Sequence, residues 1–148
     1  MKAVTYSEYA PDDNYAKILK VQDIDDPKPK ADEVVFEVKS AALNYNDIWG
    51  MRGQPVPVPL PHVSGSDAAG DVIAIGEDVK NIKIGDKVVS HSNMSCRVCK
   101  ACTDGREFDC TKRMIWGFQT GPNWGAFQEV THLPEVNVSK IPEGVSYD

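Results

Sequence analysis

Four cysteines, Cys96, Cys99, Cys102 and Cys110, fall within the stretch CRVCKACTDGREFDC, and the chain has no others. Their spacing is C-x2-C-x2-C-x7-C. Two-residue gaps let the backbone curl so that successive sulfurs converge, and the longer last gap brings the fourth thiol round. Four thiolates close a tetrahedral shell around Zn²⁺ with Zn–S bonds near ~2.3 Å and leave no open position for water or substrate. The metal is therefore expected to be structural, folding a lobe and performing no reaction. Two other chemistries use the same residues. Disulfides would strain three cysteines crowded into seven residues, and an iron–sulfur centre is also conceivable. The segment is polar, with Arg97, Lys100, Asp104, Arg106, Glu107 and Asp109. That suits an exposed zinc loop best.

A second group of polar residues lies upstream. Asn44, Tyr45, Asn46 and Asp47 cluster where a strand ends and a helical turn opens. Asp47 reads as a cap or an acceptor for backbone amides. Ser66 and Asp67 sit in the glycine-bounded turn HVSGSDAAG. Ser66 reads as a turn serine or a donor. Asp67 reads as a proton carrier if buried, or as an ion-pair partner of Arg52 or a lysine. His62, His91 and His132 are isolated in sequence. His91, just before the cysteines, is a spare ligand at most.

The elements that must position these groups read as mainly β. The chain has 148 residues, enough for one domain with a core, and is 41% hydrophobic and 26% charged. Ten prolines and eleven glycines punctuate short valine-rich runs. Strands are expected over Lys2–Thr5, Lys17–Val21, Glu33–Lys39, Asp71–Ile75, Ala126–Thr131 and Val136–Ile141, and Ile84–Val89 reads as a tight turn into another strand. In EVVFEVK, Val34, Phe36 and Val38 share one face, as in a half-buried strand. GQPVPVPLP, residues 53–61, is an extended loop. Gly65, Gly70 and Gly85 read as turn glycines. A net charge of −6 argues against a nucleic-acid surface, and no apolar run approaches the ~20 residues of a membrane span. The opening residues show no apolar signal core, so a reducing, cytoplasmic compartment is expected.

Taken in order, EVVFEVKSAALNYND, PHVSGSDAAGDVIAIGEDV, KIGDKVV, the four cysteines, GAFQEV and KIPEGVS resemble the GroES-like N-terminal domain of the medium-chain dehydrogenase/reductase superfamily. The resemblance spans nearly the whole chain, so residues 1–148 are expected to form one such domain. It implies a partly open β-barrel with few short helices and a structural-zinc lobe. It also implies a Rossmann domain elsewhere in the parent protein, since no G-x-G-x-x-G occurs here. NADPH or NADH would then bind only with that partner.

Zinc alcohol dehydrogenases of the superfamily hold a second, catalytic zinc through motifs like C-x-x-D and G-H-E. Aligned on this chain, Asn44 stands for the cysteine and Ser66 for the histidine, so no catalytic zinc is expected. Zinc-free members are similar to quinone oxidoreductases and enoyl-CoA reductases, which deliver hydride to an activated C=C bond. Leu43–Asn46 resembles the VNYN segment of crotonyl-CoA reductases, and Ile115–Thr120 their IWGFET segment. The cysteine lobe is similar to archaeal-type acryloyl-CoA reductases. The resemblance implies that Asn44, Tyr45, Ser66 and Asp67 serve the reaction, and that Asn44, Tyr45 and Asn46 face the nicotinamide. His62 becomes a candidate acid, and Trp49 and Trp116 become candidate walls for an acyl chain. The expected ligand is a small molecule, an acyl-CoA thioester or a quinone-like acceptor. A zinc alcohol dehydrogenase domain with unusual ligands and a non-catalytic zinc-binding module are the competing readings.

Overall fold

The computed structural model describes residues 1–147, and Asp148 lies outside the described residues. β1 (Lys2–Thr5) pairs antiparallel with β2 (Lys20–Asp23). Between them, Tyr15–Ile18 forms a single helical turn, α1, where a strand from Lys17 was expected. The turn places Tyr15 and Ile18, three apart, on one side, and both pack into the same apolar cluster.

The central strand is β3 (Glu33–Ala42). It pairs with β4 (Asp67–Ile75) on one side and β8 (Val130–Pro134) on the other. β5 (Lys87–Ser90) and β9 (Val138–Lys140) complete an antiparallel sheet in the order β8-β3-β4-β5-β9. The sheet curls into a partly open barrel. Val34, Phe36, Val72, Val88, Leu133 and Trp116 fill its interior, each at most 2% exposed. Burial of such side chains stabilises by about 1.5–3 kcal/mol each.

β3 is buried on both faces at its start, from Glu33 through Phe36. Alternation alone implied one solvated face. The second face is closed from a distance: Lys30 Nζ lies 2.8 Å from Glu33, and Trp124 stacks on His132, the register partner of Val35. β8 begins at Val130, not Ala126, because the residues before it bond elsewhere. Ala126 N donates to Gly65 O (2.9 Å), Phe127 N to Ser64 O (3.0 Å) and Glu129 N to Lys2 O (3.0 Å). Gly70 is no turn glycine. It lies within β4, where an added Cβ would stand 1.9 Å from Glu37 O.

A two-residue hairpin, β6 (Asn93–Met94) with β7 (Met114–Ile115), brackets the cysteine lobe. The lobe holds one turn of helix, α3 (Lys100–Thr103), and a 3₁₀ turn over Glu107–Asp109. A second apolar cluster, including Tyr6, Ile18, Met51, Val58 and Phe118, packs under α2 (Tyr45–Arg52).

Candidate functional site

In the lobe, the four Sγ atoms all lie within 4.8 Å of one another. A tetrahedron with ~2.3 Å bonds has edges near ~3.8 Å. Cys96 Sγ lies 3.9 Å from Cys102 Sγ, and Cys99 Sγ 3.4 Å from Cys102 Sγ. All four thiols are free, and those separations are well beyond the ~2.05 Å of a disulfide. Backbone amides already point at sulfur: Cys99 N donates to Cys96 Sγ (3.4 Å) and Cys96 N to Cys110 Sγ (3.5 Å). The N–H groups of Val98 and Cys99 hold the Cys96 thiol down to about 6, so it is a ready thiolate at neutral pH. His91 stands outside this sulfur cluster. The donor set and its spacing fit zinc, although, against the pull of the Cys102 amide, the neighbouring thiols that hydrogen-bond to Cys99 push its thiol up to about 11, so that proton must leave for a metal to bind.

The second site is built around the start of α2. Asn44 is its N-cap, with extended backbone, and Asn44 Oδ1 accepts from Asn46 N (3.3 Å). Asp47 Oδ2 accepts from Asn44 N (2.8 Å), closing a capping box. Its other oxygen accepts from Gly65 N (3.0 Å), which ties the helix to the turn before β4. Asp47 is buried, and that burial pushes its carboxyl above the ordinary value, against the pull of the two amides. The Gly65 turn is tight in its own right. Gly65 has φ 101°, and a Cβ on Gly117 would stand 1.8 Å from Gly65 O.

These elements border a cleft of about 340 Å³ with mainly apolar walls, among them Val4, Leu43, Ile48, Met51 and Phe127. Its polar edge carries Asn44 and Asp47, with Ser64 and Tyr6, whose oxygens lie 3.4 Å apart. Burial pushes the Tyr6 phenol up to about 12, so it stays protonated. Gly50 makes this possible: a Cβ there would meet Tyr6 Oη at 2.7 Å. Sequence reasoning missed Tyr6 and Ser64. Ser64 lies in the HVSGSDAAG turn, where Ser66 drew the attention, and Tyr6 lies just past β1, so only the fold brings the two hydroxyls together.

The other expected residues are dispersed. Tyr45 is exposed, its ring edge-on to Trp49 and its hydroxyl accepting from Arg52 Nη1 (3.3 Å). Asn46 is half-buried. Ser66 is 1% exposed, is not part of the cleft wall, and its Oγ has no partner among the described residues. Asp67, half-buried, opens β4 opposite Ala42. Arg52 pairs with Asp13 at 2.6 and 2.8 Å rather than with Asp67. Trp116 belongs to the barrel core and not to the cleft wall. His62 is fully buried, with Nδ1 and Nε2 each 3.1 Å from a backbone carbonyl, of Pro59 and Gly117. Burial lowers its pKa, and neither nitrogen is left for a substrate.

The chain is 32% identical over 136 residues to the crotonyl-CoA carboxylase/reductase of Cereibacter sphaeroides, covering 88% of this chain and 31% of that protein. It is 30% identical over 125 residues to the acryloyl-coenzyme A reductase of Sulfurisphaera tokodaii, covering 84% and 36%. The chain thus spans about a third of the length of these curated relatives. Among solved structures, an NAD-dependent alcohol dehydrogenase superposes with a TM-score of 0.89 at 35% identity, over 99% of this chain and 41% of that one. Residues 30–143 match the alcohol dehydrogenase GroES-like domain, and the chain belongs to that family.

Proposed function

We propose that this chain is the substrate-side domain of a longer, cytoplasmic NAD(P)H-dependent oxidoreductase that reduces the activated C=C bond of an enoyl thioester. The whole chain, 1–148, forms this domain, and a dinucleotide-binding domain elsewhere in the parent protein closes over the cleft. The observation that carries the reading is the chemistry of the cleft border. Where family members with a catalytic zinc hold it, this chain has Asn44, engaged as a helix cap, and Ser66, a buried hydroxyl. Neither is a competitive zinc ligand. The apolar walls suit an acyl chain, and similarity to two acyl-CoA reductases points the same way.

In this reading zinc, held by the four cysteines, supplies a cross-link that folds the lobe. The nicotinamide, when bound, supplies hydride. With cofactor and substrate both bound, hydride would reach the β-carbon as the C=C π electrons shift toward the thioester oxygen, and a proton would complete the α-carbon. Such a substrate is already polarised by its own carbonyl, so the protein need only orient it and hydrogen-bond the growing negative charge. Asn44 and Tyr45 orient substrate and nicotinamide, with Asn46 beside them. Ser66 is kept as a hydroxyl donor and Asp67 as a proton carrier.

The parent protein decides the matter. NADPH oxidation with acryloyl-CoA or crotonyl-CoA, one zinc per chain and inertness toward primary alcohols are expected. Fast alcohol oxidation with two zincs per chain would replace this reading with that of a zinc alcohol dehydrogenase, which the NAD-dependent neighbour favours.

A further inference from the structure

A second cavity, of about 480 Å³, lies between the cysteine lobe and the barrel and shares no lining residue with the cleft. His91, Asn93, Arg97, Glu107, Phe108 and Arg113 are among its walls. One side is firmly built. Asn137, 2% exposed, donates from Nδ2 to the carbonyls of His91 (2.8 Å) and Asn93 (2.9 Å), which pins the strand leading into the hairpin. Arg97 directly follows the first cysteine and has φ 61°. That left-handed conformation is strained for a non-glycine residue, and such strain concentrates at functional positions.

The charges around the cavity do not balance. Elsewhere in the lobe Lys100 pairs with Asp104 (2.9 Å) and Arg106 with Asp109 (2.5 Å). Arg97 reaches Glu107 at 3.3 Å. Arg113 donates only to the carbonyl of Phe108 (2.9 Å) and has no carboxylate partner among the described residues. Two guanidinium groups therefore face this space against one carboxylate, in a chain whose net charge is −6. A guanidinium presents a planar fork of donors that matches phosphate or carboxylate oxygens in pairs. Phe108 and Val136, 66% and 60% exposed, give the same space an apolar rim.

We propose that this cavity binds a small oxyanion carried on a planar or apolar group, a phosphate ester or a carboxylate, with Arg113 as the principal donor and Arg97 as the second. The test is titration of the zinc-loaded, ¹⁵N-labelled chain with adenosine monophosphate, inorganic phosphate and benzoate, against sodium chloride at matched ionic strength. Saturable shifts confined to residues 91–97 and 106–113 are expected with the first three and not with chloride. Tighter binding of adenosine monophosphate than benzoate identifies a phosphate ester, and the reverse order a carboxylate. Arg113→Gln should weaken binding about tenfold or more, since a charge-assisted hydrogen bond is lost. Arg113→Lys should recover only part of it, and Arg106→Gln should leave it unchanged. Unaltered barrel resonances and zinc content show that each variant is folded. Equal shifts with chloride, or equal affinity in Arg113→Gln, would overturn the proposal. No outcome depends on the reductase reading, because the cleft is not involved.

Discussion

Asp47 joins two elements with one side chain, and its energetics follow from what it accepts. Its oxygens satisfy Asn44 N and Gly65 N, both otherwise orphaned at the base of the cleft. Asp47→Ala removes the capping box and strands two donors, so it should cost about 2–3 kcal/mol in urea unfolding. The pH dependence has a definite sign. Burial raises the folded carboxyl above 3.8, so the folded chain takes up its proton before the unfolded chain does. Stability contributed by Asp47 therefore rises as pH falls through the folded value toward 3.8, then stays constant. Urea midpoints of wild type and Asp47→Asn, compared from neutral pH downward, should diverge in that window in favour of wild type. A constant difference would mean that the carboxyl is not shifted. Asp47 was legible as a structural residue, because an acidic residue three positions after Asn44 fits a capping box. Its bond to Gly65 was not legible, since nothing local relates the two.

The strands and turns are held in place by close backbone approaches that glycine alone permits. Gly117 and Gly85 both have positive φ, 73° and 89°. A Cβ at Gly85 meets nothing within 4 Å, whereas at Gly117 it would stand 1.8 Å from Gly65 O. Alanine at either site costs about 1–2 kcal/mol for the left-handed conformation. Gly117→Ala should cost about 1–3 kcal/mol more, because the turn beneath the cleft must move. Denaturant titration of the two variants isolates that difference; equal losses would mean that the turn yields freely. At this scale the sequence was readable where structure is local. Alternation in EVVFEVK marked β3, and the prolines marked residues 53–61 as a loop, although it bends at residues 55–56 and 60–61 instead of running extended throughout. It was misleading where a distant residue intervenes. Trp124 and His132 bury the second face of β3, and pairing with β1 and the Gly65 turn delays β8 to Val130. The cleft shares this obscurity: Val4, Tyr6 and Phe127 meet across more than half the chain.

Among the described residues, the buried apolar side chains form two clusters, one inside the barrel and one under α2, and the cysteine lobe contributes to neither beyond the hairpin that bears it. That asymmetry decides what zinc holds together. Val98 and Phe108 in the lobe are 78% and 66% exposed, and the regular structure there is one turn of α-helix and a 3₁₀ turn. A single turn is not stable in water by itself. Without a core, the lobe would depend for its order on a metal held by the four clustered cysteines, and it connects to the barrel through strands of two residues. The barrel depends on β3, β4 and their neighbours, whose core of buried valines, Phe36, Leu133 and Trp116 includes none of the four cysteines. Removing zinc with a strong chelator should therefore raise amide exchange across residues 96–113 toward that of an unfolded chain. Amides in β3 and β4 should stay protected, and the far-ultraviolet circular dichroism should change only slightly. In a Trp49→Phe, Trp124→Phe background, Trp116 gives an independent reading, because its indole lies in the barrel core just beyond the hairpin. Its emission should hold its position after chelation if the barrel is self-sufficient. A red shift with collapse of the dichroism signal would show that the lobe clamps the open edge of the barrel, and that the metal is part of the fold's main support.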